Sequence, residues 1–140
     1  MKTKILSLCL LLSLAMPSIA QAPTEAFINV TDGDKQIQGM ALALANQMVE
    51  QKTPVRVLLC GPAARLGLKA HESAVLKPRN VSPKQMMAGL IKAGATVEVC
   101  ALFLPNSDKT VADLVDGVSV AKPAEVAAHM LKPNVRTFGF

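Results

Sequence analysis

Apolar positions change their spacing several times along this chain, and each change marks an element. Residues 26–30 (Ala-Phe-Ile-Asn-Val) form a short apolar run stopped by Asp32-Gly33, a strand followed by a turn. Asp34 then stands where a helix needs a side-chain acceptor at its N-cap. Ile37, Met40, Ala41, Leu44 and Met48 recur at helical spacing until Thr53-Pro54 breaks the pattern. Val55 to Cys60 is a second strand, apolar enough for a central strand of a parallel sheet. Gly61-Pro62 ends it.

Residues 62–81 show the weakest periodicity. Ala63 to Ala70 reads as a short helix, and His71 to Asn80 as a loop that exposes Lys77-Pro78-Arg79-Asn80. Ser82-Pro83-Lys84-Gln85 starts a helix: Ser82 can accept from the amide three residues on, Gln85 can reach back, and Pro83 suits the first turn. Met86, Met87, Leu90 and Ile91 give its buried face, and Gly94 is placed to end it. Thr96 to Cys100 alternates as a strand does. The apolar run Ala101 to Leu104 follows and stops at Pro105-Asn106. Thr110 can cap a short helix through Val115, ended by Gly117. Val118 to Val120 is a short strand. Pro123 opens a last helix carrying Val126, Ala127, Met130 and Leu131. Pro133 ends it, and Val135 to Phe140 is the final strand. Strands alternating with helices imply βαβ units, hence an α/β fold with a mainly parallel sheet of about five strands and helices on both faces.

The N-terminal residues stand outside this alternation. Lys2 and Lys4 precede an apolar stretch from Ile5 to Met16, and Pro17-Ser18-Ile19-Ala20 ends in a small-x-small pattern. That is the pattern of a cleaved secretory signal peptide, and the stretch is shorter than the roughly 20 residues a membrane span needs. The chain therefore divides into a leader at 1–20 and a single domain at 21–140. Export predicts a periplasmic protein with no membrane association after cleavage. Cys9 leaves with the leader.

Charge changes little. Loss of Lys2 and Lys4 lowers the net charge from +5 to +3, with the bases scattered. With no Trp, no Tyr and only 4 Phe, stacking platforms for bases are scarce, so no nucleic-acid partner is expected. Nucleotide loops, CxxC, HExxH and GxSxG are absent, so no cofactor is expected and the common hydrolase classes lack support.

What remains is thiol chemistry. Cys100 ends a strand, at the sheet edge where ligands of open α/β sheets bind. It is either a small core residue or a reactive sulfur, and reactivity requires the thiolate. Cys60 ends the other central strand on the same edge. If the two strands are neighbours, a disulfide is geometrically open, and it would make Cys100 redox-gated. Two buried thiols are the plainer alternative. His71, in the loop after the second strand, is a possible accessory base for a thiolate. His129 reads as a surface or boundary residue. A metal site from these cysteines and histidines lacks any short ligand spacing, and none is expected. Arg65, Lys69, Lys77 and Arg79 could attract small anions if their segment overhangs the edge; a solvated basic loop is the simpler reading.

The run Ala95-Thr96-Val97-Glu98-Val99-Cys100, preceded by an amphipathic helix and Ala93-Gly94, resembles the cysteine strand of DsrE/DsrF-like proteins. Asp113-Leu114-Val115-Asp116-Gly117-Val118, followed by a Pro-started helix and a final strand, is similar to the C-terminal half of the YchN-like members. The resemblance implies a three-layer α/β/α domain and assembly into trimers or hexamers. It also implies a persulfide carried on Cys100, as in sulfur relay. Only Cys100 inherits that role; Cys60 has no counterpart in the motif. The chain departs from cytoplasmic relay proteins in its leader, which puts tRNA modification as an end use in doubt. Two functions follow. One is a periplasmic sulfur carrier or sulfurtransferase that takes sulfur from a small sulfur-containing anion and passes it to an acceptor thiol protein. The other is a non-catalytic small-molecule-binding or assembly protein with Cys100 buried or disulfide-bonded to Cys60.

Overall fold

The computed structural model describes residues 24–140, so the leader expected at 1–20 lies outside the described residues. Five strands form one sheet in the order β4-β3-β2-β1-β5. They are β1 (Glu25–Val30), β2 (Val55–Leu59), β3 (Thr96–Val99), β4 (Val118–Val120) and β5 (Val135–Gly139). Every neighbouring pair is parallel. The helices are α1 (Lys35–Glu50), α2 (Pro83–Lys92) and α3 (Pro123–Met130). This is the expected α/β architecture.

Chain direction explains the layers. The chain steps from β1 to β2 to β3 to β4 in one direction, then returns through α3 across the whole sheet to place β5 beside β1. Right-handed crossovers put a connection travelling the opposite way on the opposite face. Alternate residues of each strand accordingly enter two unequal cores. One core holds Ile28, Val30, Val57, Leu59, Val97 and Val99 against Ala41, Leu42 and Ala45 of α1 and Met87 and Leu90 of α2. The other consists of Phe27, Ala121 and Val126, with Leu58 and Val135 packed beside them. Full burial of each large aliphatic side chain contributes about 1.5–3 kcal/mol, so the α1/α2 side dominates stability. The α3 side is thin.

Both long helices start as the sequence predicts. The Asp34 carboxylate accepts from the amides of Gln36 and Ile37 at 2.7 and 3.1 Å. Ser82 and Gln85 form the reciprocal cap, with amide-to-side-chain distances of 3.2 and 2.8 Å. The inward face of α1 is offset from its bulky stripe. Small residues (Gly39, Ala41 and Ala45) and Leu42 are buried, while Met40 is 58 % exposed and Ile37 and Leu44 also face outward. A Cβ on Gly39 would meet the end of the Leu76 side chain, so Leu76 approaches α1 closely at that position. In α3 only Val126 is buried, and Leu131, just past its end, is 84 % exposed.

Two expected short helices are tighter and shorter. Residues 61–67 form a 3-10 helix from Gly61 to Gly67 in place of a helix over 63–70. Pro62 sits in its first turn, and Gly67 packs so closely on β3 that a Cβ would lie 2.6 Å from Val99 Cγ1. Val111–Asp113 is likewise 3-10, where a helix through Val115 was expected. Its Asp113 carboxylate accepts from both the amide and the hydroxyl of Thr110, at 2.8 and 3.0 Å. Residues 71–81 form the expected loop, pinched by backbone bonds between Leu76 and Val81 at 3.1 and 3.3 Å. Among the described residues no helix is long and apolar enough to cross a membrane.

Candidate functional site: a thiol pair at the strand ends

Strands β2 and β3 pair in register, Leu59 opposite Val99, so Cys60 and Cys100 follow opposite one another. Each lies one residue past its strand end. Their backbones are nonetheless fixed by the ladder: the Cys60 amide donates to Val30 O at 2.9 Å and the Cys100 amide to Leu59 O at 2.8 Å. Adjacent strands stand about 4.8 Å apart, within the span a disulfide bridges. By alternation both side chains point to the thin α3 face, and both are half-buried free thiols. They are neither sealed in the core nor bonded to each other.

The two sulfurs interact. The Cys60 thiol donates a hydrogen bond to the Cys100 sulfur. Burial, then that bond, then the negative charge on Cys100 push the Cys60 thiol up to about 12. Each cause disfavours the Cys60 thiolate. At neutral pH Cys60 therefore stays protonated.

Cys100 also lines a surface hollow of about 510 Å³ with Pro62, Arg65, Leu102, Phe103, Asn106 and Ser107. The turn after β3 builds one wall. The Phe103 amide donates to Cys100 O at 2.9 Å, Asn106 Nδ2 to Leu102 O at 2.7 Å, and Ser107 Oγ to Phe103 O at 2.7 Å. The 3-10 helix Gly61–Gly67 builds the other, anchored by buried Ala63, Ala64 and Leu66 and presenting exposed Arg65. The hollow thus sets one thiol and one cation side by side, an arrangement open to a small anion.

The other basic residues disperse. Lys69 pairs with Asp116 at 3.4 Å, and Lys77 and Arg79 line a groove beside Met40 and Val75. His71 lines a separate hollow with Glu72, Ser73 and Lys84. Burial, with Lys84 and Arg65 nearby, lowers its pKa and keeps it neutral. It is not among the residues lining the Cys100 hollow.

Sequence reasoning missed a polar cluster on the same face at the opposite strand ends. Arg56 Nε donates to Glu98 Oε2 at 2.7 Å, and Glu98 is only 6 % exposed. His129, expected as a surface or boundary residue, is half-buried, as a boundary position is; its Nδ1 lies 3.6 Å from Glu25 Oε2, and its buried Nε2 has no hydrogen-bond partner. Two opposite charges inside two apolar strands, at positions of the same face parity, were the available signal. Among the described residues no group of three or more His, Cys, Asp or Glu side chains could hold a metal.

No protein-family model matches the chain, and no curated protein matches it in sequence. Solved structures do match. The ychN protein from E. coli superposes with a TM-score of 0.68 at 21 % identity, over 84 % of this chain and 100 % of that one. This chain has the ychN fold. A protein of unknown function from Methanobacterium thermoautotrophicum matches with a TM-score of 0.63 at 13 % identity, over 84 % of this chain and 99 % of that one. The YchN-like, DsrE-like architecture inferred from the cysteine strand and the Asp-Gly-Val segment is thereby supported at the level of fold. Identities this low carry no activity across.

Proposed function

We propose that this protein is a sulfur carrier or sulfurtransferase that holds a persulfide on Cys100 and passes it to an acceptor thiol. The observation that carries the reading is the placement of Cys100: fixed by the β2–β3 ladder, facing a hollow with Arg65, and accepting a hydrogen bond from Cys60. The thiolate is the nucleophilic species this chemistry requires. With thiosulfate as donor, the Cys100 thiolate attacks the outer sulfur and sulfite leaves with the bonding electron pair. Arg65 faces the anionic end. The acceptor thiol then attacks the outer sulfur of the persulfide and regenerates Cys100.

The leader-like residues 1–20 support a periplasmic setting, where inorganic sulfur anions are available donors. Exposed apolar side chains, Leu102 at 70 % among them, support a homo-oligomer such as a trimer or hexamer. The test loads the reduced mature protein, and its Cys60→Ser and Cys100→Ser variants, with polysulfide or thiosulfate and records intact mass. Gain of one sulfur atom in Cys60→Ser and none in Cys100→Ser is expected. Absence of any gain in both wild type and Cys60→Ser overturns the carrier reading.

A further inference from the structure

Cys100 touches two things: the Cys60 thiol on one side and the hollow on the other. Cys60 is not among the residues lining that hollow. The hollow offers room for an outer sulfur on Cys100, while Cys60 interacts with Cys100 from outside the hollow's lining. Displacement at sulfur requires the attacking thiol to approach along the bond that breaks. The strand register holds the pair within disulfide span without movement of the backbone.

We propose that Cys60 is a resolving thiol, which attacks the Cys100 persulfide at the Cys100 Sγ, releases its outer sulfur as hydrosulfide and closes a Cys60–Cys100 disulfide. The step rests on the carrier reading above. A bond forms between the two Sγ atoms, and the bond from Cys100 Sγ to the outer sulfur breaks, its electron pair leaving with the outer sulfur. The Cys60 proton joins that sulfur, so a persulfide anion and a thiol become a disulfide and a hydrosulfide ion. The outer sulfur is reduced by two electrons, and the two cysteines are oxidised by the same two. An external dithiol, through ordinary thiol–disulfide exchange, restores the starting pair.

The protonated state of Cys60 fits this order of events. It leaves Cys100 to react first with the donor, and it supplies the proton the departing sulfide needs. A load on Cys100 therefore has two fates. A docked acceptor takes the sulfur as sulfane, or Cys60 discharges it as sulfide and the site closes until reduced.

The experiment loads reduced wild type and Cys60→Ser with polysulfide, desalts them, and follows free sulfide, intact mass and disulfide mapping. Wild type is expected to release one equivalent of sulfide per loaded chain while losing both free thiols. Cys60→Ser is expected to keep its persulfide at least tenfold longer, until an external thiol is added. Cys60→Ala serves as a second variant should the serine disturb folding, which circular dichroism reports. Equal persulfide lifetimes in wild type and a folded Cys60 variant overturn the proposal, as does a disulfide formed without sulfide. Failure of both Cys60 variants to load while folded removes the carrier reading itself.

Discussion

Lys84 holds the segment that separates the β2 edge from α2, and its removal has a predictable magnitude. Its Nζ donates to three backbone carbonyls, Leu68 O and Lys69 O at 2.8 Å and His71 O at 2.7 Å. Leu68 also bridges Leu114 and its carbonyl accepts from the His71 amide at 3.2 Å, so the ammonium reinforces a loop with sparse backbone pairing of its own. Hydrogen bonds to a charged group contribute about 1.5–3 kcal/mol each. Here one ammonium shares a single desolvation among three acceptors and the Lys69 bond is exposed, which brings the sum to roughly 3 kcal/mol by the same scale. Lys84 also places a cation in the first turn of α2, unfavourable to the helix dipole by about 0.5 kcal/mol.

Lys84→Met relieves the dipole and removes three charge-assisted bonds, so the net loss is about 2.5 kcal/mol. At about 4 °C per kcal/mol for a domain of this size, the melting temperature falls by roughly 10 °C. The assay is thermal unfolding by circular dichroism beside amide exchange, with the excess exchange confined to residues 68–73. Lys84→Arg recovers only part, because a planar guanidinium cannot aim at three carbonyls as a tetrahedral ammonium does. A drop below roughly 3 °C, or exchange spread evenly over the sheet, refutes the assignment of Lys84 as the fastener of this loop.

Three further outcomes follow from the same coordinates. Glu98→Ala leaves Arg56 buried without its partner and costs about 3–5 kcal/mol, whereas Arg56→Met with Glu98→Leu comes close to wild type; urea denaturation of the three variants checks this. The His129 pKa is lowered by burial first, then by Arg56 and Lys132, against the opposing pull of Glu25 and Glu98. The unfolded chain therefore binds the proton at higher pH than the folded one, so stability is complete above the ordinary value of 6.5 and declines as pH falls through the folded value. His129→Gln flattens that decline in denaturation curves from pH 7.5 to 5, leaving the part due to His71, whose pKa is lowered too. Arg65→Met slows loading from thiosulfate about five- to tenfold at low ionic strength and leaves reaction with neutral iodoacetamide unchanged; the difference vanishes in high salt, since Arg65 is exposed. An equal slowing with both reagents counts against an electrostatic role.

The elements legible in the sequence were those whose signals are local. Asp34, Ser82 and Pro123 start the helices where caps and first-turn prolines put them, and the five strands fall on the apolar or alternating runs of the sequence. Within the weakly periodic 62–81, the loop from His71 was read correctly, but the form of residues 62–70 was not, because it depends on contacts from outside the segment. Lys84, sixteen residues on, fixes Leu68 O, and contact of Gly67 with Val99 demands the tight 3-10 turn. The apolar stripe of α1 misled because Ala41, Leu42 and Ala45, rather than Met40 and Leu44, pack into the sheet core. Cys60 and Cys100 could be placed on one edge from topology. That they lie opposite each other with a donor and an acceptor sulfur required the register. His71, placed only by a loop, fell outside the Cys100 hollow.

The chemistry of the pair follows from two parities of the fold. Along the strands, Leu59 and Val99 are fully buried, and the next residue of each chain emerges at the edge. Across the sheet, alternation turns those residues toward the α3 face, where Phe27, Ala121 and Val126 make up the buried core and cover little else. A cysteine one position earlier would face α1 and α2 in a dry core, where a thiolate is too costly to form. Position and face together leave Cys100 half-open to a hollow and Cys60 desolvated enough to stay a thiol. The thin second core is thus a functional asymmetry: packing that would stabilise the α3 side further would also close the face on which both sulfurs lie.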